Sequence, residues 1–178
     1  MKLLVISDIH GSSYYANKIL DIVNKENPDK IVLLGDLYYH GPRNPLPNDY
    51  APMKVADILN SLKEKLLVVK GNCDAEVDEM ISNFKFEDNI LLDANGKKIF
   101  FTHGHKYNIN KLPNEEFDIM FYGHFHICFI KQQDGKIFVN PGSISLPKEN
   151  TLNSYATIDS DKIYIKDING NILEELKL

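Results

Sequence analysis

The sequence predicts an α/β fold in which two mixed β-sheets pack together and helices lie outside them. Within the first 72 residues, short apolar runs alternate with helical stripes, a pattern typical of parallel strands joined by crossover helices. Short strands separated by turn residues dominate the rest of the chain. A length of 178 residues suits a single core. We therefore expect residues 1–178 to form one domain.

The first half alternates three strands with two helices. Residues 3–6, 31–34 and 66–69 are continuous apolar runs, as expected of strands buried on both faces. Between the strands, apolar residues recur at helical spacing, at Ala16, Ile19, Leu20 and Val23 and again at Val55, Ile58, Leu59 and Leu62. Residues 38–52 carry four prolines and are predicted to form a long functional loop.

The second half is predicted to consist of short strands and hairpins. We expect strands at residues 99–102, 119–122, 127–132, 137–140, 155–159 and 163–168. Asp134-Gly135 is a strong hairpin signal, and Ser160-Asp161 is predicted to join the last two of these strands. Asn169-Gly170 then turns the chain into a short final strand.

Composition narrows the class of protein. A net charge of −5 disfavours a nucleic-acid binder that works through a broad basic face. The chain has only two cysteines, Cys73 and Cys128, which is typical of a reducing compartment. No apolar stretch approaches the roughly 20 residues of a membrane span, and the apolar run at the start is too short for a signal peptide. We expect a cytoplasmic, soluble enzyme or binding domain.

Five short blocks place polar side chains directly after apolar runs: SDIHG, LGDL, KGNCD, THGH and YGHFH. The polar residues in question are Asp8, His10, Asp36, Asn72, His103, His124 and His126. The carboxyl ends of parallel strands are where open α/β sheets bind ligands, so we expect these side chains to converge. Carboxylates, imidazoles and an amide oxygen together are the ligands that a pair of adjacent metal ions requires.

Each block has a simpler interpretation when taken alone. Asp8 can cap a helix or a turn, and Asp36 can serve a turn after its strand. The histidines favour a metal site, because four of the six in the chain fall in two glycine-flanked blocks, THGH and GHFH. Two carboxylates converging in a dry cleft would also repel each other unless a cation lay between them.

The blocks D-x-H, G-D, G-N-x-D, H-G-H and G-H-x-H, in this order, resemble the calcineurin-like metallophosphoesterases. The resemblance covers nearly the whole chain and is closer still to the small bacterial phosphodiesterases of the YfcE type. The text shared with that type lies at residues 7–12, 40–44, 70–80, 102–105 and 140–143. The resemblance implies the metallo-dependent phosphatase fold, a four-layer α/β/β/α sandwich.

The resemblance also implies a set of metal ligands. One divalent ion would take Asp8, His10 and His126, and the other would take Asn72, His103 and His124, as the family pattern has it. Asp36 would bridge the two ions, with a water or hydroxide opposite it. Mn²⁺ is the usual activating ion of the family, although Fe, Zn, Ni or Co suit the same mixed ligand set.

The implied activity is hydrolysis of a small phosphodiester by attack of that water. Two adjacent ions lower the pKa of a water molecule and neutralise the phosphoryl oxygens. A phosphomonoesterase or a nucleotide pyrophosphatase could use the same site. A different class is a metal-binding protein-interaction scaffold, which the intact set of seven ligands disfavours. Basic residues are not grouped in the sequence, so nuclease action is less favoured.

Three further residues are predicted to be catalytic, each with a structural alternative. Many family members have histidine after the Asn of G-N-x-D, where it protonates the leaving group; Cys73 stands there in this chain. Cys73 can act as a weak acid or simply pack beside the site. His105 can touch the substrate phosphate or make a structural hydrogen bond. Arg43 can clamp a phosphate, or its loop can form a surface or an interface. Exposed apolar faces on the second sheet could support a homo-oligomer, either a dimer or a tetramer.

Overall fold

The computed structural model describes residues 1–178. Its strands are β1 (Leu3–Ile6), β2 (Lys30–Leu33), β3 (Leu66–Val69), β4 (Phe86–Glu87), β5 (Ile90–Ala94), β6 (Lys97–Thr102), β7 (Ile119–Tyr122), β8 (Cys128–Gln133), β9 (Lys136–Pro141), β10 (Ser154–Ile158), β11 (Lys162–Asp167) and β12 (Ile172–Lys177). Its helices are α1 (Ser13–Glu26), α2 (Pro52–Ser61) and α3 (Glu76–Ile81). The first sheet has the order β12-β11-β10-β1-β2-β3-β4, and the second has the order β5-β6-β7-β9-β8. The predicted class, two mixed sheets in an α/β fold, is confirmed.

The centre of the first sheet is parallel, as the alternation of strands and helices predicts. Leu4 of β1 lies opposite Ile31 of β2, which lies opposite Leu66 of β3. Every residue of β1 is buried, which explains its unbroken apolar run. Because the three strands run the same way, their carboxyl ends lie along one edge of the sheet.

The helices between these strands begin and end where local chemistry allows. The Ser12 hydroxyl accepts a hydrogen bond from the Tyr15 N–H and so caps α1. Asn27 ends α1 in the left-handed region, with φ 44°. Pro52, predicted to end the preceding loop, occupies the first turn of α2, where a missing N–H costs nothing.

The carboxyl-terminal strands return to the first sheet. β10 pairs antiparallel with β1, and β11 and β12 extend the sheet beyond it. The hairpins predicted at Ser160-Asp161 and Asn169-Gly170 join these strands, and Asp134-Gly135 joins β8 to β9 in the second sheet. In that sheet β6, β7 and β9 are parallel and the edge strands are antiparallel.

The two sheets pack face to face through a shared apolar core. Val5 and Val32 of the first sheet belong to the same buried cluster as Phe101 and Phe121 of the second. The rings of Phe101 and Phe121 stack with centroids 5.4 Å apart, a favourable arrangement for neighbouring aromatic side chains. A separate core joins the other face of the first sheet to α1 and α2.

The four-layer sandwich implied by the resemblance has helices on the outer face of each sheet. No helix covers the outer face of the second sheet. Residues 103–118 contain no helix, and they cover the outer face through Tyr107, Ile109 and Phe117, which pack on Phe100 and Met120. A helix would need apolar residues at helical spacing, whereas this segment is broken by asparagine, proline and glycine. All three helices therefore lie on the side of the first sheet.

Besides a single 3₁₀ turn at Lys63–Lys65, three short elements were not predicted. The helix α3 has no buried residue, so it carries no apolar stripe from which it could be recognised. The strand β4 has only two residues. The strand β5 lies at the edge of the second sheet and is only half-buried on one face, which weakens its pattern.

The proline-rich loop that follows β2 folds back over the start of α1. Tyr50 forms an isolated bridge with Ser12, and the Ala51 N–H donates to the Gly11 carbonyl at 2.8 Å. These bonds tie the far end of the loop to the segment between β1 and α1. No helix of the chain is both long and apolar enough to span a bilayer.

Glu26 joins the end of α1 to two strands and generates a prediction. Its carboxylate lies 2.8 Å from the Nζ atoms of Lys2 and Lys166 and accepts a hydrogen bond from the Tyr155 hydroxyl at 2.8 Å. Burial opposes the charged form, but these partners prevail and lower the pKa of Glu26 from 4.5 to about 2. The stabilisation is therefore complete above pH 4.5 and is lost as the pH falls towards 2.

Glu26→Gln should lower the free energy of unfolding by about 2 kcal/mol at pH 7 and by much less near pH 3. Urea titrations at the two pH values measure this. Asp21→Asn is the matched control, because Asp21 makes only an exposed ion pair on the same helix and should cost about 0.5 kcal/mol or less. An equal loss in both variants, or no pH dependence, would contradict the role of Glu26.

Candidate metal centre

Seven polar side chains meet where strands of both sheets end. Asp8 and His10 follow β1, Asp36 follows β2, Asn72 follows β3, His103 follows β6, and His124 and His126 follow β7. The structure therefore brings together all of the predicted ligands, which are spread over both halves of the sequence. Asp8, His10, Asp36, His103 and His126 are buried, whereas His124 is half-buried and Asn72 is exposed. The last two open the centre to solvent.

The side chains form two adjoining groups with Asp36 between them. The ligand atoms of Asp8, His10 and His126 all lie within 4.8 Å of one another, and so do those of Asp36, His103 and His124. Asp36 also reaches the first group, because its Oδ2 lies 3.8 Å from His10 Nε2 and 3.4 Å from His103 Nε2. Such a carboxylate is placed to bridge two cations.

Three of the imidazoles are oriented by main-chain carbonyls. The Nδ1 atoms of His10, His103 and His126 face the carbonyl oxygens of Tyr39, Leu34 and Leu146, respectively. A carbonyl can only accept, so each Nδ1 carries the proton and each Nε2 presents a lone pair when the ring is neutral. Metal-binding histidines are commonly held in this way.

The arrangement leaves electron pairs facing one another, which fits bound cations. His10 Nε2 and His126 Nε2 are 3.1 Å apart, and a hydrogen bond between them would require one ring to carry two protons. On the other side, the lone pair on Nε2 of a neutral His103 ring would face Asn72 Oδ1 at 3.0 Å and His124 Nδ1 at 3.3 Å. The buried Oδ1 of Asp8 has no hydrogen-bond partner. A divalent cation in each group would satisfy these atoms.

Electrostatics within the centre favour charged carboxylates. Burial would raise the pKa of Asp8, but the imidazoles of His10 and His126 hold it well below its usual value. Burial likewise opposes ionisation of Asp36, and His103 lowers its pKa. Burial disfavours the His103 cation, yet Asp36 and Asp8 raise the pKa of His103 to about 9. Burial and the His103 charge lower the pKa of His124 to about 4.

Asp74 positions the turn that carries Asp36. Its two carboxylate oxygens accept hydrogen bonds from the N–H groups of Asp36, Leu37 and Gly71, each at 2.8 Å. Burial and the nearby charge of Asp36 raise the pKa of Asp74 to about 6. Asp74 therefore contributes to the site by holding the backbone of the turn that carries Asp36.

The backbone of the centre is held in an unusual conformation. Five of the seven residues, Asp8, His10, Asp36, His124 and His126, have φ between 52° and 67°. The left-handed region costs a residue with a side chain about 1–2 kcal/mol. Such strain is concentrated at functional sites, where the surrounding structure holds it in place.

Two glycines make room for the carboxylates. A Cβ atom on Gly71 would lie 2.1 Å from Asp36 Oδ1, and one on Gly123 would lie 1.8 Å from Ser7 Oγ and 2.7 Å from Asp8 Oδ2. Neither space admits any side chain. The glycines of the blocks KGNCD and YGHFH therefore serve the close approach of two strand ends to the ligands.

The block at residues 140–143 supports Asp8 and the loop after β7. Ser143 and Ser145 donate hydrogen bonds to the Asp8 carbonyl at 2.8 Å. Asn140 donates to the Gly123 carbonyl at 2.9 Å, and the His124 N–H donates to Asp8 Oδ2 at 3.0 Å. The block thus contacts Asp8 through Ser143 and the loop that carries His124 through the Gly123 carbonyl.

The other predicted catalytic residues lie around the centre at different distances. The Cys73 N–H donates to Asp36 Oδ1 at 2.8 Å, and its sulfur lies within 4.8 Å of ligand atoms of His10 and Asp36. Burial and the charge of Asp36 raise the pKa of Cys73 to about 12. The exposed ring of His105 lies 5.4 Å from that of His103. Arg43 makes no hydrogen bond or ion pair with any of the seven residues, and it is exposed and lines the cleft.

The centre opens into a cleft of about 750 Å³. One wall is formed by the proline-rich loop with Tyr39 and Arg43, and Phe125 and Lys148 also line the cleft. Sequence reasoning did not identify Tyr39, Phe125 or Lys148. Phe125 could have been found as the residue between the two histidines of GHFH, but no sequence signal marks Lys148.

Fold and site together define a calcineurin-like phosphoesterase. The family profile of the calcineurin-like phosphoesterase superfamily domain matches residues 1–162, and the chain belongs to that family. The resemblance in the sequence is thereby confirmed.

Particular relatives are similar over almost the whole chain. The phosphodiesterase YfcE of Escherichia coli strain K12 is 40% identical over 174 residues, which cover 95% of this chain and 93% of that protein. A solved structure of YfcE, described as a phosphoesterase from E. coli, superposes with a TM-score of 0.95 over 99% of this chain and 98% of that one, at 35% identity. The probable metallophosphoesterase YsnB of Bacillus subtilis is 33% identical and covers 99% of this chain and 97% of its own length.

The raised pKa of His103 generates a prediction about metal binding. Below pH 9 the metal-free ring is mostly protonated, so a cation must displace that proton. Affinity for Mn²⁺ should therefore rise with pH from 6 to 8, by up to about tenfold per pH unit for each proton released. The number of protons released is measured by calorimetric titration with Mn²⁺ at one pH in two buffers, HEPES and Tris. The difference between the two apparent binding enthalpies gives that number.

His103→Gln should lower the number of protons released by about one and weaken binding. His40→Gln is the control, since His40 is not among the seven residues, and it should leave the proton count unchanged. Binding that releases no proton at pH 7 in the unmodified protein would refute this protonation state of His103.

Proposed function

We propose that this protein is a divalent-metal-dependent phosphoric diester hydrolase, with residues 1–178 acting as one metallophosphoesterase domain. The observation that carries the proposal is the bridging position of Asp36 between two groups of converging ligands. The relatives named phosphodiesterase and metallophosphoesterase support the same class of reaction. The family and the ligand groups support divalent cations as cofactors.

The ligands divide between two ions. One ion would be held by Asp8, His10 and His126, which share a group, and the other by Asn72, His103 and His124. Asp36 would bridge them. Oxygen and imidazole ligands in this mixture suit Mn²⁺, which we propose as the activating ion, and they also suit Fe, Zn, Ni or Co.

When bound, the two ions lower the pKa of a water molecule and neutralise charge on the phosphoryl oxygens. The contribution of the protein residues is to hold the ligand atoms in fixed positions. The tautomers of His10, His103 and His126 are fixed by carbonyl partners, so little reorganisation is needed during the reaction. No serine or cysteine nucleophile is required for a displacement of this type.

The remaining predicted residues would act on the substrate. His105 is exposed beside His103 and His124, a position from which it can donate a hydrogen bond to a phosphoryl oxygen. Cys73 occupies the position from which a leaving group would be protonated, but a thiol with a pKa of about 12 is a weak acid. We therefore propose that diesters with good leaving groups are cleaved fastest.

Other activities of the same centre are tested by the choice of substrate. A phosphomonoesterase or nucleotide pyrophosphatase would prefer a terminal phosphate or an anhydride, and side-by-side assays with Mn²⁺ separate these from a diesterase. A scaffold without activity has no need of imidazoles held in fixed tautomers. We further propose a cytoplasmic location, a small substrate and a homo-oligomer, either a dimer or a tetramer.

Replacing the bridging carboxylate should abolish most of the activity. Asp36→Asn keeps the shape of the side chain but removes the charge that two cations share, so kcat/KM for bis(4-nitrophenyl) phosphate should fall at least about 100-fold. Asp88→Asn is the matched control, because Asp88 makes only an exposed ion pair with Lys106. Full activity of Asp36→Asn would rule out the bridge.

A stronger acid at position 73 should help poor leaving groups. Cys73→His places a group of reference pKa 6.5 there, and hydrolysis of diesters with alkyl leaving groups should rise by roughly tenfold or more. Esters of 4-nitrophenol should change little, since nitrophenolate needs no proton. Rates measured for esters whose leaving groups differ in pKa give the slope of the logarithm of the rate against leaving-group pKa. Cys73→Ala is the control, and an unchanged slope in Cys73→His would show that protonation does not limit turnover.

A further inference from the structure

The cleft is larger than the reacting group of a phosphodiester. Its volume of about 750 Å³ falls within the range of about 300–1,000 Å³ that is typical of sites for whole small molecules. Only four of its 15 lining residues, Asp36, Asn72, His124 and His126, are predicted metal ligands. The walls are therefore available to recognise parts of the substrate beyond the scissile bond.

Arg43 is the only arginine in the chain, which uses lysine at its other 19 basic positions. It lies on the cleft wall, exposed and without a carboxylate partner. Its loop is ordered by Asn44, whose side chain donates to the His40 carbonyl at 2.8 Å. A planar guanidinium offers paired donors that lysine lacks, and these match the oxygens of a phosphate or carboxylate.

Lys148 supplies a second cation to the same cleft. It is exposed and has no acidic partner. Its N–H donates to the carbonyl of His126 at 2.9 Å, so its position is tied to a predicted metal ligand. Together Arg43 and Lys148 place two positive charges on the walls of a cleft in a chain with a net charge of −5.

Two exposed aromatic rings also line the cleft. Tyr39 and Phe125 are 42% and 41% exposed, although large aromatic side chains gain most from burial. Each is tied to the centre, because the Tyr39 carbonyl accepts from the His10 ring and Phe125 lies between His124 and His126. Exposed rings beside a cleft are suited to stacking on a planar group.

We propose that the cleft recognises a nucleotide-like phosphodiester, in which a planar ring stacks on Tyr39 or Phe125 and a second anionic group binds Arg43 and Lys148. This inference rests on the proposed function, since it names the substrate class of the same centre. The reacting phosphate would lie beside the ligand residues, and the second anion would lie beside Arg43 and Lys148. Fixed cations that are not already paired favour an anion there more than a neutral or cationic group.

Three esters that share one scissile bond test the proposal. They are methyl 4-nitrophenyl phosphate, the 4-nitrophenyl ester of uridine 5′-phosphate, and the same uridine ester with an added 3′-phosphate. All release 4-nitrophenolate, so differences in kcat/KM report recognition rather than leaving-group chemistry. We expect kcat/KM to rise at each step, with a gain of roughly tenfold from the 3′-phosphate.

The variants separate the two recognition elements. Arg43→Ala and Lys148→Ala should each reduce the gain from the 3′-phosphate several-fold, and Arg43→Lys should restore only part of it. Phe125→Ala and Tyr39→Ala should reduce the gain from the uridine ring. Lys54→Ala is the matched control for loss of a charge, because Lys54 is exposed on α2 away from the cleft.

A binding measurement provides a readout besides activity. The chain has no tryptophan, so Phe125→Trp introduces a single fluorescent reporter that keeps an aromatic ring. Uridine 3′,5′-bisphosphate should quench its emission at lower concentration than uridine 5′-phosphate does, and inorganic phosphate should not quench it. Arg43→Ala in the same background should reduce the difference between the two nucleotides several-fold, and an undiminished difference would contradict the role of Arg43.

The outcomes distinguish this inference from the proposed function. If no ester is hydrolysed, the proposed function fails. If all three are hydrolysed with equal kcat/KM, or if the gain survives in both Arg43→Ala and Lys148→Ala, the centre is a diesterase but its substrate is not of the nucleotide-like class. A gain that is lost equally in Lys54→Ala would reflect general attraction rather than this site, and would also overturn the inference.

Discussion

Main-chain carbonyls hold three imidazole rings so that their free nitrogen atoms face two buried carboxylates and one another. His10 and His126 approach to 3.1 Å through nitrogen atoms that both carry lone pairs, while Asp8 Oδ1 is buried without a partner. In a protein interior such an arrangement is unfavourable unless positive charge lies among the ligands. The remaining features of the site, from the strained turns to the tight glycines, follow from the need to keep these groups together.

The fold provides that constraint by ending strands of two different sheets at one place. The first sheet contributes Asp8, Asp36 and Asn72 and the second contributes the histidines after β6 and β7, while the core between the sheets fixes their separation. Five of the seven residues lie in left-handed turns, and Gly71 and Gly123 let the backbones approach. Asp74 then secures the turn at Asp36 through three N–H groups. A rigid floor of this kind leaves specificity to the walls of the cleft.

Much of this architecture is predictable because it depends on strong local patterns. The buried strands β1 to β3 are unbroken apolar runs, and the ligands are marked by their position after such runs. An element without buried residues, such as α3, has no apolar pattern from which it could be predicted. The loop over Phe100 and Met120 takes the place of an expected helix, because its apolar residues lack helical spacing. Lys148 enters the cleft through tertiary folding of the segment after β9. Spacing in the sequence cannot reveal such a contact.

The proposed position of Asp36 between two cations can be observed in crystals soaked with Mn²⁺ and measured at the manganese absorption edge. Anomalous peaks locate the ions without any assumption about activity. We expect two peaks, one beside Asp8, His10 and His126 and one beside Asn72, His103 and His124, with the Asp36 carboxylate between them. A single peak away from Asp36, or none at saturating Mn²⁺, would contradict the bridge.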